Sequence, residues 1–187
     1  MIQISSWDET EEKTLGDGFS TLPADLYICE IINCVDTTSS KGSNMLVFDV
    51  DICEGVFSGY YAKELLNNKN ENKKWRCKYY QTYSTTDAKK NSYLKGVITA
   101  LEKSNNTTIN LKKGIDVSIF TNKKFGGVFG QEEYLANDGE IKTNTKLFYI
   151  NSIEGLKNAK VPPIKKLPIA EVYNAETETI DDDELPF

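Results

Sequence analysis

MLVFDVDICE, residues 45–54, is the stretch on which the fold turns. Leu46, Phe48, Val50 and Ile52 fall on one face, and Asp49 and Asp51 fall on the other. An apolar period of two marks a strand with one buried and one wet face. Upstream, LYICEIINCV at 26–35 is rich in β-branched and aromatic residues and reads as the first strand. DTTSSKGSN, dense in Ser, Thr, Asp and Gly, is the loop between the two. Downstream, Glu54-Gly55 makes a turn, and VFSGYYAK at 56–63 reads as a short strand or barrel corner bent at Gly59. ELLNNKNENKK at 64–74 is low in complexity and reads as an exposed loop with room for a helical turn.

WRCKYYQTYS at 75–84 is the third strand. Beyond it, Leu94, Val97, Ile98 and Leu101 lie at i, i+3, i+4 and i+7, with Asp87 as N-cap, so a single amphipathic helix is expected over 88–103. IDVSIF at 115–120 reads as a strand, TNKKFGG as an interruption, and VFGQEEYLA as extended structure again. Asn137-Asp138-Gly139 is a hairpin turn signal, and IKTNTKLFYINSI at 141–153 its returning strand. Five antiparallel strands with one helix between the third and fourth are the plan of an OB-fold barrel, and that mainly β fold is the expectation. The expected organisation is an N-terminal arm over 1–20, a barrel domain over 21–155, a flexible linker over 156–180 and a terminal tip over 181–187.

No run of about 18 apolar residues exists in the 187, and MIQISSWDETEEK has neither a basic nor an apolar leader region, so a cytoplasmic protein is expected. Cys29, Cys34, Cys53 and Cys77 form no CxxC pair and read as reduced thiols at strand positions. The chain has no histidine, which removes mixed Cys/His zinc sites, the commonest general base and every Ser-His or Cys-His nucleophile. No phosphate-cradling or nucleophile-elbow motif is present. No catalytic residue, metal or cofactor is therefore expected.

Charge is arranged in blocks. Residues 1–62 carry 2 Lys against 11 acids, residues 63–125 carry 14 Lys and Arg against 5, and the last 18 residues carry 7 acids and no base. A basic middle and an acidic end imply two surfaces with two partners. On the third strand, Trp75, Cys77, Tyr79, Gln81 and Tyr83 share one face, while Arg76, Lys78, Tyr80, Thr82 and Ser84 share the other. Two cations around a ring, with Lys73 and Lys74 just before them, suit single-stranded nucleic acid: cations track phosphates and rings stack on bases. Tyr60, Tyr61, Trp75 and Lys41 complete the candidate binding set. Asp49 and Asp51, on the wet face of the second strand, would repel phosphate, and they admit a rival reading as a metal-binding pair of a nuclease.

The chain ends Asp181-Asp182-Asp183-Glu184-Leu185-Pro186-Phe187. A solvating acidic tail has no use for an apolar end, whereas a terminal aromatic ring with its own carboxylate is a compact anchor for a basic pocket. This ending resembles the C-terminal tip of bacterial and phage single-stranded DNA-binding proteins, an Asp-rich run closing on a hydrophobic residue, proline and phenylalanine. Here Glu184 and Leu185 stand where an isoleucine alone usually follows the aspartates. A looser resemblance to small phage replication and recombination proteins runs through Leu22-Pro23 to Cys53, with the loop at 40–45, and through residues 130–134. The resemblance implies a non-enzymatic protein that coats single-stranded DNA and recruits replication and recombination partners through residues 181–187. It leaves open whether the chain self-associates. The alternative is a protein-interaction module, a recombination mediator or host-factor mimic, that uses the tip without tight DNA binding.

Overall fold

The alternating stretch is a strand flanked on both edges. The structure, a computed structural model, describes residues 21–112 and 114–168. In it β1 (Leu26–Thr38) pairs antiparallel with β2 (Asn44–Ile52), and Leu46, Phe48, Val50 and Ile52 all point into the core. The turn between them is closed by the Gly42 N–H donating to Ser39 O at 2.9 Å and the Ser43 N–H donating to Ser39 Oγ at 3.0 Å. β3 (Lys78–Thr82) adds to the other edge of β2, β4 (Lys124–Leu135) to the other edge of β1, and β5 (Ile141–Asn151) to β4. The sheet order is β3-β2-β1-β4-β5, antiparallel throughout.

The expected closed barrel is corrected to an open sheet, because among the described residues no ladder joins β3 to β5. β3 contributes only five residues, roughly 17 Å of strand, and they pair with β2 alone. Side chains from the two unpaired edges line a groove instead.

Among the described residues two α-helices are present where one was expected. α2 (Ser92–Asn105) is the predicted amphipathic helix; it buries Leu94, Val97, Ile98 and Leu101 and is preceded by a 3-10 turn whose Lys89 N–H is capped by Asp87 at 2.9 Å. α1 (Tyr60–Asn67) lies where a barrel corner and loop were read. Its cap comes from another element: Asp51 on β2 accepts the Tyr61 N–H at 2.9 Å and the Ala62 N–H at 3.0 Å. Asp51 is accordingly 4% exposed, not on a wet face, because α1 covers that end of β2.

The strand expected at 115–120 is also corrected. Val117–Phe120 form a 3-10 turn, opened by Asp116 accepting the Ser118 N–H at 3.0 Å, and Phe120 inserts into the core against Phe48, ring centroids 5.3 Å apart. β4 then starts at Lys124 and includes the two glycines that looked like a break. Gly126 is needed for close approach, since a Cβ there would lie 2.5 Å from the Leu156 side chain.

The chain beyond β5, expected to begin a free linker, lies against β4 as far as the structure describes it. After a 3-10 turn over Glu154–Asn158, Lys165 pairs parallel beside Glu132: its N–H donates to Gln131 O, and its carbonyl accepts the Glu133 N–H, both at 2.9 Å. This part of β4 lies past the end of β1, so its backbone groups need another partner. Among the described residues no helix is long and apolar enough to cross a membrane.

Candidate nucleic-acid interface

The unpaired edges of β3 and β5 face each other across a groove of about 1230 Å³. Strand alternation builds the β3 wall, turning Cys77 and Gln81 inward and Arg76, Lys78 and Tyr80 toward the groove. Tyr80 is 57% exposed and has no hydroxyl partner among the described residues. The opposite wall is Lys146, Phe148 and Tyr149 of β5, with Tyr149 60% exposed. Tyr134, 43% exposed, stands at the far end of β4, and Pro162, Pro163, Ile164 and Lys165 of the returning chain form the rim. Proline reaches this close because a Cβ on Gly130 would lie 2.7 Å from Pro162 and 2.6 Å from the Phe148 ring. Tyr60 and Glu64 of α1 close one end.

Four cations line the groove, and all four are ion-paired. Arg76 pairs with Glu64 and Lys78 with Asp49, while Glu132 accepts both Lys146 and Lys165 at 2.8 Å. Those two lysine hydrogen bonds hold the Glu132 carboxyl below the usual glutamate range. Burial, followed by the Tyr149 hydroxyl, pushes Tyr79 above the ordinary tyrosine value. The site thus offers rings with open faces and cations whose present partners are single carboxylates.

The predicted residues divide. Arg76, Lys78, Tyr80 and Tyr60 line the groove, although the Tyr60 hydroxyl accepts the Leu22 N–H at 3.3 Å. Lys73 and Lys74 are exposed just before β3, and Lys74 lines a smaller adjoining pocket of about 250 Å³. Trp75 is a packing residue; its Nε1–H donates to Val50 O at 2.9 Å. Tyr61 reaches the floor of the groove and of the smaller pocket, but it is mostly buried in the core, and desolvation raises its hydroxyl far above the ordinary tyrosine value. Lys41 sits in the β1–β2 turn, outside the groove lining. Residues 181–187 lie outside the described residues.

Sequence reasoning missed Lys146, Tyr149, Tyr134 and Lys165. The run KLFY at 146–149 carries the same mixture of cation and ring as β3, but nothing local says that the two edges meet. Asp49 and Asp51 do not act as a pair. Asp49 holds Lys78 and accepts Asn33 Nδ2–H at 3.3 Å, whereas Asp51 accepts three backbone N–H groups. Among the described residues no group of three or more Cys, Asp or Glu is placed to hold a metal. Cys29, Cys34, Cys53 and Cys77 are free thiols; burial pushes Cys34 and Cys77 up to about 12. The chain matches none of the family models and none of the curated proteins with which it was compared.

The Glu132 clamp predicts acid release of the chain over 159–168. Its folded-state pKa is depressed, so the pairing is complete above the usual glutamate range and is lost as pH falls through the lowered value. Amide exchange at Lys165 and Leu167 should accelerate over that window in the wild type, while Glu132→Gln should exchange fast at every pH. Equal protection in both proteins would mean that the backbone pairing alone holds this segment.

Proposed function

We propose that the groove between β3 and β5 is a binding site for a flexible polyanion with stackable rings, in an OB-type barrel left open between those two strands. More particularly, the protein binds single-stranded DNA without catalysis and recruits other proteins through residues 181–187. The observation that carries this reading is the set Tyr80, Tyr134 and Tyr149, three tyrosines with exposed faces, interleaved with Arg76, Lys78, Lys146 and Lys165 in one groove. Charge supports it: residues 21–168 hold 21 Lys and Arg against 16 Asp and Glu, although the whole chain is at −6. Open groove geometry favours one strand, since duplex DNA would hide its base faces from these rings.

The test is fluorescence anisotropy of a labelled mixed-sequence oligonucleotide, single-stranded against duplex, across a salt series. Tight, salt-sensitive binding to the single strand alone is expected. No binding at low salt, with or without the acidic end, would remove the proposal. Deleting residues 176–187 should tighten DNA binding at low salt, because the six acids it removes compete for the same cations, and should abolish partner recruitment. Truncation that changes neither would sink the role given to the tail.

One observation favours the second reading, a protein-interaction module. Every groove cation already has a carboxylate, as in a surface built for a partner that supplies its own charges. In that case the groove would bind protein, and the anisotropy experiment would show no single-strand preference.

A further inference from the structure

Outside the groove, the solvent face of α2 has an unusual content. Tyr93 is 80% exposed, more than any tyrosine of the groove. Lys89 and Lys90 lie one turn before it, Lys95 and Lys103 beyond it, and all four are exposed. Among the described residues no carboxylate lies within 4.0 Å of any of these lysine amines, in contrast to the four groove cations. The two nearest acids in sequence are engaged elsewhere: Asp87 accepts the Lys89 N–H at 2.9 Å, and Glu102 accepts the Ile109 N–H at 2.7 Å.

Gly96 stands one turn after Tyr93 on the same face. After proline, glycine is the least favourable residue in a helix interior, so a reason is sought. Packing does not supply one, since a Cβ at Gly96 would meet nothing within 4 Å, and its φ is not in the left-handed region. The helix surface at Gly96 is therefore open.

The patch is also continuous with the groove. Asn91 is latched to the chain leaving β3: its Oδ1 accepts the Ser84 N–H and its Nδ2–H donates to Ser84 O, both at 2.8 Å. Ser84 is four residues beyond Tyr80, roughly 13 Å along an extended chain. We propose that Lys89, Lys90 and Tyr93 form a second contact for single-stranded DNA. It receives the strand as it leaves the groove at the end of β3. An exposed ring among these lysines suits a phosphate chain with bases better than an acidic peptide, which has no base to stack on the ring. The inference rests on the single-strand reading of the groove.

The experiment uses the full chain and labelled mixed-sequence oligonucleotides of about 8 and about 30 nucleotides, below and above the span of one barrel. The triple variant Lys89→Ala, Lys90→Ala, Tyr93→Ala should leave the short oligonucleotide unaffected. It should weaken the long one by about tenfold or more and flatten its salt slope by about 1.4. Gly96→Glu should do the same to the long oligonucleotide while raising the melting temperature, which separates binding from folding. Wild type that binds neither length defeats the groove reading and this one together. Wild type that binds both, with variants indistinguishable from it, defeats the α2 contact alone, as does an equal loss on both lengths. If the variants instead lose a labelled peptide of residues 176–187 and keep the long oligonucleotide, the patch belongs to the acidic tail and the proposal is overturned.

Discussion

Replacing Arg76, Lys78, Lys146 and Lys165 together with alanine is expected to lower affinity for single-stranded DNA by at least about a hundredfold at low salt. The log–log salt slope should flatten by about 2.8, about 0.7 for each phosphate no longer neutralised. These four are chosen because they stand on both sides of the groove, Lys78 on β3 with Arg76 just before it, and Lys146 and Lys165 facing them. The loss exceeds that of four surface charges, since Glu64 and Glu132 would remain in the groove, and Asp49 beside it, without their cations and repel phosphate. Glu132→Gln supplies the opposite sign: it frees Lys146 of β5 and removes a carboxylate that repels phosphate, and should tighten binding at low salt. Lys73→Ala with Lys74→Ala, both outside the main groove, should cost less than the four-residue change. Should the Lys73/Lys74 variant prove the more damaging, the strand would run over the smaller pocket beside α1.

Asp51→Ala is expected to be the most destabilising single exchange. The carboxylate is almost fully buried and accepts three backbone N–H groups, two of them the first orphan donors of α1. Without it the Tyr61 and Ala62 N–H groups lose their partner where water has little access, a loss of about 3 kcal/mol. For a chain of this size that corresponds to about 10 °C in Tm. Asp51→Asn retains one acceptor oxygen and should lose about a third of that. The effect reaches the groove, since α1 carries Tyr60 and Glu64 at its end. Thermal melts of both variants, with DNA binding measured below the transition, check the prediction. An Asp51→Ala protein melting like wild type would show that α1 needs no help from β2.

Much of the scaffold was legible along the chain. Period-two apolarity marked β2, β-branched and aromatic content marked β1 and β3, period 3.6 marked α2, and Asn137-Asp138-Gly139 marked the hairpin, where the Ala136 N–H donates to Glu140 O at 2.9 Å. Each is a local signal, because burying one face of a regular element dictates which positions are apolar. Where the reading failed, the determinant was remote in sequence. α1 is capped from β2, across ten residues of chain, and its own opening, Gly59-Tyr60-Tyr61, carries no side-chain cap. β4 begins at a pair of glycines that signal a break, yet Gly126 is small because Leu156, thirty residues on, needs the space.

The candidate site divides along the same line. By itself, the sequence determined the β3 wall, since strand alternation alone places Arg76, Lys78 and Tyr80 together, and it determined the separation of a basic middle from an acidic end. Only the tertiary structure decided that β3 meets β5, that Lys146, Tyr149 and Lys165 complete the groove, that Trp75 and Tyr61 serve the core, and that Asp49 and Asp51 have different partners. The physical reason is that alternation says which side of a strand a residue faces, whereas the opposite wall depends on sheet order and twist, which arise from pairings between distant segments.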